Sequence, residues 1–128
     1  MYNYGNHRRD FTYIDDIVEG VLRVLDQPAT RNDAWSGDHP DAASSQAPWR
    51  LYNIGASRPV ELMDFIAAIE RAVGREVDKE FLPMQLGDVP DTYADVSELA
   101  EAFGYQPSTP VEEGVKRLVE WYREYYSG

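Results

Sequence analysis

The chain has 128 residues, 12 Lys and Arg against 23 Asp and Glu, a formal net charge of −11, and no cysteine. That length suits one domain with a core rather than two. The charge disfavours nucleic acid, whose phosphates need a basic face, but it leaves room for a small anion held by local arginines, because salt screens distant charge beyond about 10 Å. Without cysteine there are no disulfides, no thiolate catalysis and no cysteine-based zinc site. No apolar run reaches membrane-spanning length, and the first residues do not read as a signal peptide, so a cytoplasmic location is expected.

Taken in order, Met1 to Tyr4 alternate as a strand does, Gly5-Asn6 reads as a turn, and Arg9 to Ile14 reads as the next strand. Asp15 is placed to N-cap a helix, with Asp16 and Glu19 in its first turn. Ile17, Val21, Val24 and Leu25 fall on one face, widened by Val18 and Leu22, so this helix is expected between two layers until Pro28 stops it. Residues 28–49 carry three prolines and many Ser, Asp and Ala and read as a long surface loop, with Trp35 and Trp49 pinning its ends.

Arg50 to Ile54 reads as a strand closed by Gly55. A helix follows, with Leu62, Phe65, Ile66, Ile69 and Val73 as its stripe and Gly74 as its cap. Val77 to Leu82 alternates weakly, and 83–90 is an irregular loop containing Gly87 and Asp88. Asp95 with Glu98, and Thr109-Pro110 with Glu112, are capping-box starts for two more helices; the first stops at Gly104. The last carries Val111, Val115, Leu118 and Tyr122 on one side. Alternating strands and helices make the class α/β, or α+β for this chain standing alone: a small mixed sheet with about four helices.

Several runs together carry a resemblance. Arg9-Asp10-Phe11-Thr12-Tyr13-Ile14-Asp15-Asp16 is followed by Leu51-Tyr52-Asn53-Ile54-Gly55, then Pro83-Met84-Gln85-Leu86-Gly87-Asp88-Val89, then Thr92-Tyr93-Ala94-Asp95-Val96-Ser97. This ordered set, with the ending from Gly104-Tyr105 through Trp121-Tyr122, resembles the extended short-chain dehydrogenase/reductases that act on nucleotide sugars. The Pro-Met-Gln-x-Gly-Asp-Val wording and the Trp35-Ser36-Gly37-Asp38 loop are most similar to the UDP-glucuronate 4-epimerases. The resemblance covers nearly all of the chain but only the back end of such an enzyme.

The family's dinucleotide turn needs closely spaced glycines, and here the nearest two are Gly104 and Gly114. Its catalytic pair is a tyrosine four residues before a lysine. Lys79 and Lys116 are preceded at that spacing by Arg75 and Glu112. The resemblance therefore implies residues 1–128 as a C-terminal nucleotide-sugar-binding domain of the Rossmann-type family, with the NAD-binding, catalytic portion absent. For the whole enzyme it implies oxidation at C4 by bound NAD, rotation of the keto-sugar and return of the hydride. This chain is expected to bind a UDP-sugar, to hold no NAD itself, to be inactive alone, and to self-associate through surfaces the truncation exposes. The alternatives are the same portion of a nucleotide-sugar decarboxylase or dehydratase, and a stand-alone, non-catalytic binding module.

Three residues are assigned to the UDP-sugar. From the sequence alone, Arg9 reads as a surface ion pair with Asp10 or Asp15; the resemblance makes it a diphosphate ligand, for which a guanidinium fork is suited. Asp88, a turn aspartate beside Gly87, is by the same resemblance the acceptor for ribose hydroxyls. Gln85 stands where many relatives carry an arginine; being neutral, it leaves Arg9 more of the phosphate. Tyr13, Tyr52 and Tyr93 read as packing residues, Asn53 as a strand-end hydrogen-bonder, and Arg8 as solvated. His7 and His39 read as loop histidines with no third metal ligand in range. Asp15-Asp16 reads as helix capping rather than an acid pair. The aromatic ending reads as the docking of the last helix.

Overall fold

The computed structural model describes residues 1–126. A 3-10 turn, Tyr2–Gly5, leads into β1 (Arg8–Arg9) and α1 (Ile14–Asp26). After the long loop come β2 (Val60–Glu61), α2 (Leu62–Val73), α3 (Ser97–Phe103) and α4 (Val111–Tyr126).

Two-residue strand β1 sits at the centre. On one side it pairs antiparallel with β2, Arg8 opposite Glu61 and Arg9 opposite Val60. On the other side it meets the 90–92 segment in parallel: the Arg8 N–H donates to Pro90 O at 2.9 Å and the Thr92 N–H donates to Arg8 O at 3.1 Å. Hydrogen bonding around β1 is therefore mixed, as expected, although the ladder is short.

The other expected strands do not form, because a strand needs a partner along its length. Met1–Tyr4 and 77–82 do meet, through Leu82 N–H to Met1 O and Tyr4 N–H to Leu82 O. Asn3 and Tyr4, however, take φ of 50° and 52°, which turns the chain away before a ladder extends. Residues 50–54 have one bridge, Ser44 to Arg50, with the Leu51 N–H donating to Ala43 O at 2.9 Å.

Side-chain carboxylates tie these segments together. Asp10 Oδ2 accepts the Ser57 N–H (3.0 Å) and the Ala94 N–H (3.1 Å), and its Oδ1 accepts the Arg58 N–H (3.3 Å). One residue thus joins the end of β1 to two loops more than 40 positions away. Gly55 is required by the same junction: a Cβ there would lie 2.4 Å from that of Ala94. Asp16 does parallel work, its Oδ2 accepting the N–H groups of Ser108 and Thr109.

The expected caps are accordingly corrected. α1 begins at Ile14 behind Tyr13 with no side-chain cap, Asp15 lies inside the first turn, and Asp16 points to the 108–109 loop. α3 begins at Ser97 behind Val96; Asp95 instead accepts the Ser97 N–H and hydroxyl in a local turn. The glycine stops are as expected, Gly74 and Gly104 taking left-handed φ of 84° and 60°.

α2 and α4 form the main helix pair. Phe11 stacks on Phe65 with centroids 4.0 Å apart. Tyr13 lies against Gly114, where an added Cβ would come within 2.9 Å of the ring. Leu99 of α3 is fully buried, with Val96, Ala56, Ala68 and Val115 close behind.

α1 is buried on one side only, where Gly20 lets Ile54 and Tyr105 approach. Its broad apolar face, expected between two layers, is instead open: Ile14, Val18, Val21, Leu22 and Leu25 are all exposed. The aromatic end of α4 is open as well, Trp121 stacking on Tyr125 and Tyr122 lying tilted against Tyr126 rather than docking. Tyr93, expected to pack, is also exposed. The accessible surface is 9054 Å². A compact 14.6 kDa monomer exposes about 6,900 Å². Among the described residues, no helix is long and apolar enough to cross a membrane.

Two stability predictions follow from these carboxylates. Asp10→Ala orphans three backbone N–H groups and is expected to lower unfolding free energy in urea by about 3 kcal/mol; a loss under about 1 kcal/mol shows that the junction holds without it. The Glu70 carboxyl is held below its usual range first by its hydrogen bond to the Lys79 ammonium and then by the Val77 N–H. A depressed folded value means stability that is present above the unfolded value and lost as pH falls through the folded one. Glu70→Gln should therefore flatten the acid limb of a stability-versus-pH curve, and an unchanged limb counts against the pair.

Candidate functional site

The arginine and the aspartate singled out from sequence, 79 positions apart, meet at the edge of β1. Arg9 Nη2 donates to Asp88 Oδ1 at 3.1 Å and to Val89 O at 2.8 Å. Its Nη1 donates to Pro90 O at 2.7 Å and to Arg8 O at 3.0 Å. All four Nη hydrogens thus face oxygen, three of them on the 88–90 loop. The partner of Arg9 is Asp88, not Asp10 or Asp15: Asp10 is committed to backbone N–H groups, and Asp15 lies 3.7 Å from Arg117. Arg8 is exposed, as expected, and pairs with Glu61 at 3.2 Å across the β1–β2 ladder.

The loop is set by a turn. The Asp88 N–H donates to Gln85 O at 3.2 Å, and Gly87 takes the positive φ of 86° that the third turn position demands. Asp88 Oδ1 also accepts the Val89 N–H at 2.8 Å, which fixes the carboxylate plane. Gln85 contributes its backbone carbonyl to this turn. Its side chain is exposed and is not drawn into the Arg9–Asp88 cluster.

His7 was expected to be a loop histidine, yet it is only 4% exposed. Its Nε2 is 3.4 Å from Asp88 Oδ2, and its Nδ1 is 3.3 Å from Pro90 O. The available signal was spacing: on an extended segment residues i and i+2 share a face, so choosing Arg9 implicates His7. Asn53 behaves as expected, donating to Asp95 O at 3.1 Å. Tyr13 and Tyr52 pack as expected, the latter edge-on to Phe103.

A larger groove of about 270 Å³ lies elsewhere, between Phe11, Phe65 and the start of α4. Its lining is apolar and holds no cation, so an anionic ligand gains nothing there. Among the described residues no group of three or more His, Asp or Glu is arranged to hold a metal ion. NAD is also a poor fit. Dinucleotide binding uses a glycine-rich strand-to-helix turn. Here the left-handed glycines Gly5, Gly74, Gly87 and Gly104 stand singly in separate turns, and neither lysine follows a tyrosine at the required spacing.

Residues 1–36 match the model of the NAD dependent epimerase/dehydratase family. Protein CapI of Staphylococcus aureus is 49% identical over 98% of this chain and 38% of its own length. A probable UDP-glucuronate 4-epimerase of Rhizobium meliloti is 45% identical over 98% of this chain and 37% of its own length. The crystal structure of a Bacillus cereus UDP-glucuronic acid 4-epimerase mutant, in complex with a fluorinated UDP-glucuronic acid and NAD, superposes with a TM-score of 0.75 at 25% identity. That match covers 98% of this chain and 35% of the other. Along nearly its whole length this chain is thus similar to about a third of these relatives, among them UDP-glucuronate 4-epimerases, and its first 36 residues match the NAD dependent epimerase/dehydratase family.

Proposed function

We propose that this chain is the C-terminal, nucleotide-sugar-binding portion of a UDP-glucuronate 4-epimerase, that it grips the UDP moiety and that it does not turn over substrate alone. A cytoplasmic location is part of the same reading. The observation that carries it is the Arg9–Asp88 pair: a guanidinium and a carboxylate from distant positions meeting on an accessible rim, the two residues that the resemblance assigns to diphosphate and ribose.

The geometry supplies a binding mechanism. In the free chain Arg9 and Asp88 satisfy each other. A diphosphate oxygen competes for the Nη2 hydrogen given to Asp88, and a charge-assisted bond to phosphate replaces it. That exchange frees one acceptor site on Asp88 Oδ1, where the Val89 N–H still occupies the other. With the open site on Oδ2, the carboxylate then accepts one hydroxyl on each oxygen, which suits the vicinal diol of a ribose. The ligand inserts a phosphate and a diol between two groups that otherwise hold each other. Because the pair must first part, and Gln85 adds no charge, binding by this chain alone is expected to be weak, with Kd about 1 mM. The sugar itself meets no assigned residue here, and no catalytic acid, base or hydride site is assigned to this chain.

Self-association belongs to the same reading. The chain exposes roughly 2,000 Å² more than a compact monomer of its mass, far above the ~800 Å² each partner buries in a standard interface. The apolar face of α1 is one part of this exposed surface. A surface of this kind is covered in an assembled protein, and in the isolated chain a second copy is the available cover.

Two experiments test these points. In an NMR titration with UDP and UDP-glucuronate, saturable shifts are expected at Arg9 and 87–90, lost in Arg9→Ala; a well-dispersed spectrum that does not respond removes the binding claim. Sedimentation equilibrium is expected to show concentration-dependent dimer, reduced by Val21→Glu; a monomer at 0.5 mM or above (roughly the upper range of weak association) ends the self-association claim.

A further inference from the structure

We propose that His7 is a positioning residue for Asp88, holding the carboxylate from the buried side through Nε2–H. The inference rests on the nucleotide-sugar reading for its functional meaning, but its structural part stands on the free chain.

Three observations carry it. His7 is 4% exposed, and its Nε2 is fully buried with no aligned hydrogen-bond partner. The nearest charged atom is Asp88 Oδ2, 3.4 Å away. The other ring nitrogen faces Pro90 O at 3.3 Å, but that carbonyl already accepts the Arg8 N–H at 2.9 Å and Arg9 Nη1 at 2.7 Å. A carbonyl oxygen has two lone pairs, and both are served. A proton on Nδ1 therefore gains little.

Either neutral tautomer sets one bare nitrogen against an oxygen, Pro90 O at 3.3 Å or Asp88 Oδ2 at 3.4 Å. The carboxylate is charged and the carbonyl is already served, so the ring proton gains more on Nε2, where it can make a charge-assisted bond. Asp88 is then held from two sides, Oδ2 by His7 and Oδ1 by the Val89 N–H and Arg9. When a diphosphate draws Arg9 away, His7 and the Val89 N–H remain. The carboxylate keeps its orientation at the moment it must accept a diol. His7 need not touch the ligand; it acts through Asp88.

Long-range proton–nitrogen correlations of the imidazole read the ring proton directly in the intact chain. We expect a proton on Nε2, with a shift that moves in Asp88→Ala. A neutral ring protonated on Nδ1 alone overturns the proposal, whether or not any nucleotide binds. UDP titration supplies the functional arm. His7→Phe keeps the ring volume and removes both nitrogens, and should weaken UDP binding about tenfold. His7→Gln restores a donor at the position of Nε2 and should stay within about threefold of the parent chain. Equal loss in both variants means packing alone and refutes the role, as does full binding by folded His7→Phe. If the parent chain binds no UDP, the proposed function falls while the ring-proton measurement still decides whether His7 holds Asp88. If His7→Phe does not fold, the ring proton and His7→Gln decide.

Discussion

Everything in this chain depends on how a very short strand is held in place. β1 offers two residues of ladder, far too little to fix distant loops by itself. The Asp10 carboxylate supplies the missing constraint, gathering N–H groups from positions 57, 58 and 94 around the end of that strand. A charged acceptor serving several backbone donors does what a longer sheet does elsewhere: it satisfies N–H groups and sets the register between segments. Once the 92–94 segment is anchored, the loop before it has little freedom, and Asp88 is delivered to Arg9.

The same logic explains how an acidic chain can present a cationic contact. The net charge of −11 is spread over an extended surface, whereas the site is decided within a few ångströms, where screening by salt is weak. Locally the balance is close. Arg8 faces Glu61 and Arg9 faces Asp88. The site carries no large surplus of positive charge to pull an anion from afar; it has a fork of donors whose present acceptors can be exchanged.

Helices were legible in the sequence because their signals are local. Apolar spacing and the left-handed glycines at 74 and 104 placed α2 and α3 closely. Strands were not, because pairing is a property of two segments: Met1–Tyr4 and 50–54 have the composition of strands without a continuous partner. The site was half legible. Arg9 and Asp88 were found as separate candidates through family wording, and their contact with each other was not. The place of His7 is not legible in the same way, because a lone histidine announces nothing about burial. Asp15 and Asp16 read as capping residues, but neither caps: a carboxylate takes whichever donors tertiary structure brings nearest, here Arg117 for Asp15 and the 108–109 N–H groups for Asp16.

The open face of α1 also bears on how this chain responds to temperature. Heat capacity of unfolding grows with the apolar area newly exposed. A chain that already leaves Val18, Val21, Leu22 and Leu25 in water, and whose described core centres on Leu99, has less of that area to release than its length suggests. A smaller heat-capacity change makes the curve of stability against temperature flatter. A protein that covered this face would convert the same residues into a larger heat-capacity change and a sharper transition. The thermal character of this sequence is thus set as much by what lies against α1 as by anything inside it.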